Sequence, residues 1–164
     1  MTKKLFVLRH SYAEPMGEVR DFERSLTMEG ISTARALGRK LLNDRFNPHQ
    51  IVCSPAVRAY DTAVNLSEEL NINEQEIQKV DKLYEASVRE LLEVVNDMEP
   101  TTESAILVGH NPSISYFAEM LTSSGIGNME PCGLVMIDFE GITWKQISQA
   151  SGTFVAYYHP NREV

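Results

Sequence analysis

Two arginines and two histidines stand at or just past the ends of short apolar runs. Leu5-Phe6-Val7-Leu8 runs into Arg9-His10-Ser11, Ile51-Val52-Cys53 into Ser54-Pro55 with Arg58 just beyond, and Ala105-Ile106-Leu107-Val108 into Gly109-His110-Asn111-Pro112. The forked guanidinium donors of arginine match phosphoryl oxygens in bidentate fashion, and an unprotonated imidazole nitrogen can attack phosphorus. Neighbouring cations depress an imidazole pKa, so His10 keeps a lone pair on one nitrogen near neutral pH. Its other nitrogen needs an acceptor to set the tautomer, expected from a backbone carbonyl in the loop that follows.

Unbroken apolar runs of this length read as strands buried on both faces, hence a parallel sheet. Ligands of open α/β sheets sit at the carboxyl ends of the strands, so the two arginines and two histidines are expected to share one crevice. Tyr12 to Arg24 reads as a long loop, a length that is often functional. Thr27 can cap a helix with Ile31, Ala34, Leu37, Leu41 and Leu42 on one face. Ser54-Pro55 and Asn111-Pro112 each offer an N-cap residue followed by proline, the usual start of a helix. Arg58 would then stand in or just after a first helical turn. A cation there opposes the helix dipole by a few tenths of a kcal/mol, up to about 1, and a bound anion removes the conflict. Gln78–Leu83 is a weak strand candidate, and Val88, Leu91, Leu92, Val95 and Met98 form a further helical stripe. Leu134–Phe139, Glu140-Gly141 and Ile142–Trp144 read as a β-hairpin. The expected fold is a three-layer α/β/α domain over residues 1–164. Its central sheet is mainly parallel, with an antiparallel edge made by the C-terminal hairpin.

The chain has 164 residues and a formal charge of −8, with 43% hydrophobic residues. That is one domain's worth of chain, with enough apolar side chains for a core without staples. The negative balance argues against nucleic acid and anionic membranes as partners, yet leaves room for a local cationic cleft. No apolar stretch reaches membrane-spanning or signal-peptide length, which reads as a cytoplasmic protein. Cys53 and Cys132 match no metal spacing and read as buried free thiols. His10, His49, His110 and His159 show no close ligand spacing either, so no metal site is expected.

A proton donor for a leaving group is less sharply marked. Glu85, in Leu83-Tyr84-Glu85-Ala86-Ser87, could serve, and reads equally well as a carboxylate in a first helical turn. Asp21 in the long loop is the second candidate. Glu23 and Arg24 read as an ion pair or a substrate-facing rim.

Taken together, these segments resemble the histidine phosphatase superfamily, which includes the phosphoglycerate mutases. Arg9-His10 after a first buried strand is similar to its Arg-His-Gly signature. Ser54–Ala63 is similar to its second motif, serine-proline, arginine-alanine, then threonine-alanine. Val108–Pro112 is similar to its third. Arg24-Ser25-Leu26-Thr27, the glycine shortly after, Leu83–Ser87 and the late Trp144 resemble the small phosphohistidine phosphatases of the SixA type. The resemblance implies that His10 attacks phosphorus and becomes phosphohistidine. It implies that Arg9, Arg58 and His110 bind the phosphoryl oxygens, that water releases phosphate, and that no metal or organic cofactor takes part. Ser11 stands where the family usually has glycine. It is strained if the backbone there needs positive φ; otherwise its hydroxyl or amide adds a phosphate contact. Ser25 replaces a frequent proline.

Two substrate classes follow from the resemblance. One is a protein bearing phosphohistidine, whose labile P–N bond needs little acid assistance. The other is a small phosphate ester or anhydride. A non-catalytic phosphate-binding module is disfavoured because all four core residues are present. A mutase would need a second basic cluster that the sequence does not offer. The oligomeric state is not legible.

Overall fold

The computed structural model describes residues 1–160. Its strands are β1 (Thr2–Arg9), β2 (Gln50–Cys53), β3 (Ile77–Lys79), β4 (Ser104–Gly109), β5 (Leu134–Glu140) and β6 (Thr153–Tyr158). The helices are α1 (Met28–Asn43), α2 (Val57–Leu70), α3 (Val88–Asn96) and α4 (Ser113–Thr122). The strands form one sheet in the order β3-β2-β4-β1-β5-β6. The β1–β4, β2–β4 and β2–β3 pairs are parallel, whereas β5 runs antiparallel to β1 and β6 antiparallel to β5.

Alternation along the strands divides the core into two layers, because successive side chains point to opposite faces. Phe6, Leu8, Ile51, Cys53, Ile106 and Val108 face α1 and α2. Leu5, Val7, Val52, Ala105 and Leu107 face α3 and α4. Both faces are covered, which is why these strands read as continuous apolar runs. Each fully buried leucine or phenylalanine contributes about 2 kcal/mol relative to an exposed one.

Local signals hold most of the helices. The Thr27 hydroxyl oxygen accepts the Gly30 N–H at 2.9 Å and caps α1. Ser87 and Glu90 form a capping box at the start of α3. Such caps stabilise a helix by about 1 kcal/mol. The two proline starts behave differently. α2 begins at Val57 and α4 at Ser113, one or two residues later than the expected caps require, and neither has a side-chain cap. The Asn111 amide is spent instead on the Met129 carbonyl, to which its Nδ2 donates at 3.0 Å, and on the Ser115 hydroxyl, which donates to its Oδ1; the contact made by Ser54 is described below.

The C-terminal hairpin takes another form than expected. Leu134–Glu140 is a strand, but Trp144–Gln146 is a 3-10 turn and the antiparallel partner is β6. Trp144 is pulled inward, 1% exposed, against the α3–α4 face. The Asn96 side-chain amide donates to the Trp144 and Ile147 carbonyls, which binds this segment to α3 rather than to a neighbouring strand. The Gln78–Leu83 region shrinks to the three-residue β3 followed by a 3-10 turn at Asp81–Leu83. Both cysteines are buried and free.

Candidate active site

Strand register brings the chemistry together. Arg9 pairs with Gly109 across β1 and β4, and Cys53 pairs with Val108 across β2 and β4. All three strands therefore end at one level. Just past those ends the His10 N–H donates to the Gly109 carbonyl and the Ser54 N–H to the Val108 carbonyl, both at 3.1 Å. His10, Ser54 and His110 stand side by side as a result, and the two imidazole centroids are 5.2 Å apart.

The loop after His10 folds back over this edge. The Glu14 N–H donates to the Ser25 carbonyl at 2.8 Å and the Thr27 N–H to the Tyr12 carbonyl at 3.0 Å. Gly30 makes the return possible, since a Cβ there would lie 2.1 Å from the Tyr12 oxygen. The loop thereby delivers Asp21 to the strand ends.

His10 is 9% exposed. Its Nδ1 lies 2.8 Å from the Ser11 carbonyl oxygen, which accepts no bond unless Nδ1 carries the proton. Nε2 is then the unprotonated nitrogen, and the Arg58 Nε–H donates to it at 3.3 Å. Burial pushes the His10 pKa down to about 3, with His110, Arg58 and Arg9 pushing the same way and the Ser11 bond opposing. The ring is neutral at ordinary pH. The expected carbonyl acceptor is thus Ser11's own.

Arg58, 5% exposed, is the second residue of α2. Its Nη1 donates to the Asp21 carbonyl at 2.7 Å and its Nη2 to Asp21 Oδ2 at 3.0 Å. The Tyr84 hydroxyl donates to the same Oδ2 at 2.7 Å, and Arg24 Nε donates to Oδ1 at 3.0 Å. The Tyr84 bond leads these donors in holding the Asp21 carboxyl down at about 2. Asp21 is therefore held as an anion that anchors Arg58. Arg24 pairs with Asp21 and Glu23 with Arg20, rather than with each other.

His110 Nε2 lies 2.8 Å from the Ser54 hydroxyl oxygen. That oxygen also accepts the Ala56 N–H at 3.2 Å, and with the hydroxyl donating to His110 Nε2 the ring keeps Nδ1–H as a donor. Burial, then Arg58, lowers the His110 pKa to about 4. His110 Nδ1 and Arg9 Nε are buried and have no hydrogen-bond partner among the described residues. Buried donors without partners are costly, so two of them in one cleft point to an acceptor that binds there. Arg9 is held by a 2.8 Å bond from Nη1 to the Met129 carbonyl. Arg9, His10, Asp21, Arg24, Arg58, His110 and Asn111 line a cleft of about 440 Å³.

Two expected site residues are placed differently: Ser11 lines the cleft with its polar groups engaged, and Glu85 lies outside it. Ser11 is fully buried and its φ is not positive, so it is unstrained. Its hydroxyl donates to the Gly30 carbonyl at 2.8 Å and its amide to Thr62 Oγ1 at 3.0 Å. Neither group is free for a phosphoryl oxygen. Glu85 is not a first-turn residue either, since α3 starts at Val88. It lines a separate hollow of about 150 Å³ that shares only His110 and Asn111 with the cleft. Sequence reasoning missed Tyr84 and the Ser54–His110 contact. The one available signal was that all three residues lie inside the quoted motifs. Among the described residues, no three His, Cys, Asp or Glu side chains are grouped to hold a metal ion, and no helix is long and apolar enough to cross a membrane.

Comparison with known proteins supplies the lineage. A putative phosphohistidine phosphatase SixA from Nakamurella multipartitia superposes with a TM-score of 0.82 at 24% identity, covering 99% of this chain and 98% of that one. Another from Agrobacterium tumefaciens gives 0.77 at 22%, covering 97% and 99%. At such identities the likeness carries the fold. An uncharacterized protein of Mycobacterium leprae, ML1117, is 24% identical over 93% of this chain and 99% of its own length. Residues 5–102 match the sequence model of the histidine phosphatase superfamily (branch 1), a stretch that includes Arg9, His10 and Arg58. The chain belongs to the histidine phosphatase superfamily.

Proposed function

We propose that this protein is a phosphatase that works through a phosphohistidine intermediate on His10, with protein-borne phosphohistidine as its substrate. The observation that carries the reading is the His10 ring, buried and neutral, with Nδ1–H tied to the Ser11 carbonyl and Nε2 turned to Arg58 in the cleft. The Nε2 lone pair forms a bond to phosphorus. The bond from phosphorus to the leaving group breaks, and its electron pair departs with that group. Water then attacks the phosphohistidine, and inorganic phosphate leaves. Arg58, Arg9 and His110 Nδ1–H face the charge that spreads over the phosphoryl oxygens, a kind of stabilisation worth several kcal/mol.

The choice of leaving group rests on the acids. Asp21 is held as a carboxylate by Tyr84, Arg58 and Arg24. Glu85 lines the neighbouring hollow rather than the cleft. No other carboxyl group lines the cleft among the described residues. An alkoxide leaving group needs a proton, whereas the P–N bond of a phosphorylated imidazole breaks with little help.

The test compares turnover of a phosphohistidine-bearing protein with that of an aryl phosphate, for wild type and His10→Ala. Expected are loss of turnover in the variant, an acid-labile phosphoryl label on His10 in wild type, and preference for the phosphohistidine protein. An active His10→Ala protein would refute the nucleophile. Good ester turnover without phosphohistidine turnover would refute the substrate.

A further inference from the structure

The hollow beside the cleft has the opposite electrical character. The cleft wall carries Arg9, Arg24 and Arg58, and its one carboxylate is already paired. The hollow is lined by Leu83, Ala86, Leu91 and Pro112, by His110, Asn111 and Ser113, and by Glu85 as its one charged group among the described residues. The two spaces share the His110 and Asn111 walls. A substrate whose phosphorus sits at His10 can therefore extend past His110 into an acidic, partly apolar hollow.

The backbone at Glu85 is unusual. Its φ is 58°, a left-handed conformation that side-chain-bearing residues adopt at a cost of about 1 kcal/mol unless the surroundings impose it. Here they do. Leu83, 1% exposed, ends one turn, Ser87 caps α3, and the Tyr84 hydroxyl is bound to Asp21. Glu85 is the reversal point between two fixed ends. It is exposed and has no pairing cation among the described residues.

We infer that this hollow receives the leaving group and that Glu85 is a specificity-determining residue, selecting a phosphorylated nitrogen base that is protonated when it departs. The inference rests on the phosphatase reading above. For an N-phosphorylated imidazole, the ring carries a proton on its second nitrogen, and Glu85 accepts that N–H. His10 Nε2 bonds to phosphorus, the P–N bond to the substrate ring breaks, and its electron pair returns to the ring. The ring leaves neutral with its proton still on the second nitrogen. Glu85 donates nothing in this step. It favours the imidazolium form, which is the better leaving group.

The experiment measures kcat/KM of wild type and Glu85→Gln on N-phosphoimidazole, para-nitrophenyl phosphate and phosphoglycolate. Loss of one partly exposed charge contact predicts a drop of about fivefold on N-phosphoimidazole. Para-nitrophenyl phosphate should hold within twofold, and phosphoglycolate, which brings its own carboxylate toward the hollow, should improve. An equal or larger drop on para-nitrophenyl phosphate would overturn the inference, because Glu85 would then act without regard to the leaving group; a drop on phosphoglycolate would overturn it too, because its alkoxide needs a proton and Glu85 would then be a general acid. No change on any substrate would also overturn it. A second measurement does not depend on turnover: imidazolium, titrated by NMR with inorganic phosphate present, should bind wild type more tightly than Glu85→Gln. Equal binding refutes the hollow. A wild type that binds imidazolium and phosphate yet hydrolyses nothing refutes the phosphatase reading instead. Glu85→Asp, which keeps the charge, should retain part of the preference.

Discussion

Lowering the pH should destabilise this protein through His10, by an amount the geometry sets. The folded ring is buried and held at a pKa of about 3, while an unfolded histidine titrates near 6.5. The unfolded chain therefore takes up a proton below about pH 6.5 that the folded chain refuses until about pH 3. Stability falls across that window as pH falls, since the unfolded state binds more protons. From pH 7.5 to 5.0, the difference in proton uptake at one such site amounts to about 2 kcal/mol at 1.36 kcal/mol per pKa unit. His10→Asn removes the titration while leaving Asp21 and His110 in both proteins, so their contributions cancel in the comparison. With a urea m-value of about 2 kcal/mol/M, the wild-type midpoint should drop by about 1 M more than that of His10→Asn between the two pH values. Midpoints that move in parallel would refute the argument. They would mean that the folded ring protonates near its ordinary pKa and that burial does not keep His10 neutral.

Other perturbations probe the remaining contacts. Asp21→Asn frees Arg58 from its carboxylate anchor and should lower kcat/KM by about tenfold, while Tyr84→Phe, which removes one of three donors to Asp21, should cost less; steady-state kinetics on an aryl phosphate reads both. Ser11→Gly removes the bond to the Gly30 carbonyl and should cost about 1 kcal/mol in urea unfolding, with turnover unchanged within twofold. A large loss of turnover would return Ser11 to the phosphate site. Gly30→Ala drives a methyl into the Tyr12 carbonyl and should destabilise by about 1–3 kcal/mol, with loss of activity as the loop carrying Asp21 shifts.

What was legible in the sequence was whatever depends on neighbours along the chain. Apolar runs marked β1, β2 and β4 because a strand covered on both faces has no polar positions to hide it. Thr27 marked α1 because its hydroxyl meets an N–H three residues away. The positions of His10 and His110 just past strand ends, and of Arg58 in the first turn of the helix after β2, followed from the same signals. Contacts between distant segments were not legible. Ser54 looked like a helix cap until β4 placed His110 against its hydroxyl. Ile142–Trp144 looked like a strand until Asn96 claimed the Trp144 carbonyl. Asp21 looked like an acid until Tyr84, 63 residues away, and Arg58 made it an anchored anion.

The amino-acid sequence by itself determined the kind of sheet, the positions of its buried strands β1, β2 and β4 along the chain and the residue types that gather at their ends, because these follow from local hydrophobic period and from residue type. Only the tertiary structure decided the His10 tautomer, the pairing of Asp21, the engagement of the Ser11 hydroxyl and amide with Gly30 and Thr62, and the separation of Glu85 into its own hollow. Each of these depends on where a donor from a distant element comes to rest within about 3 Å of an acceptor, and hydrogen-bond geometry at that scale is set by packing rather than by pattern.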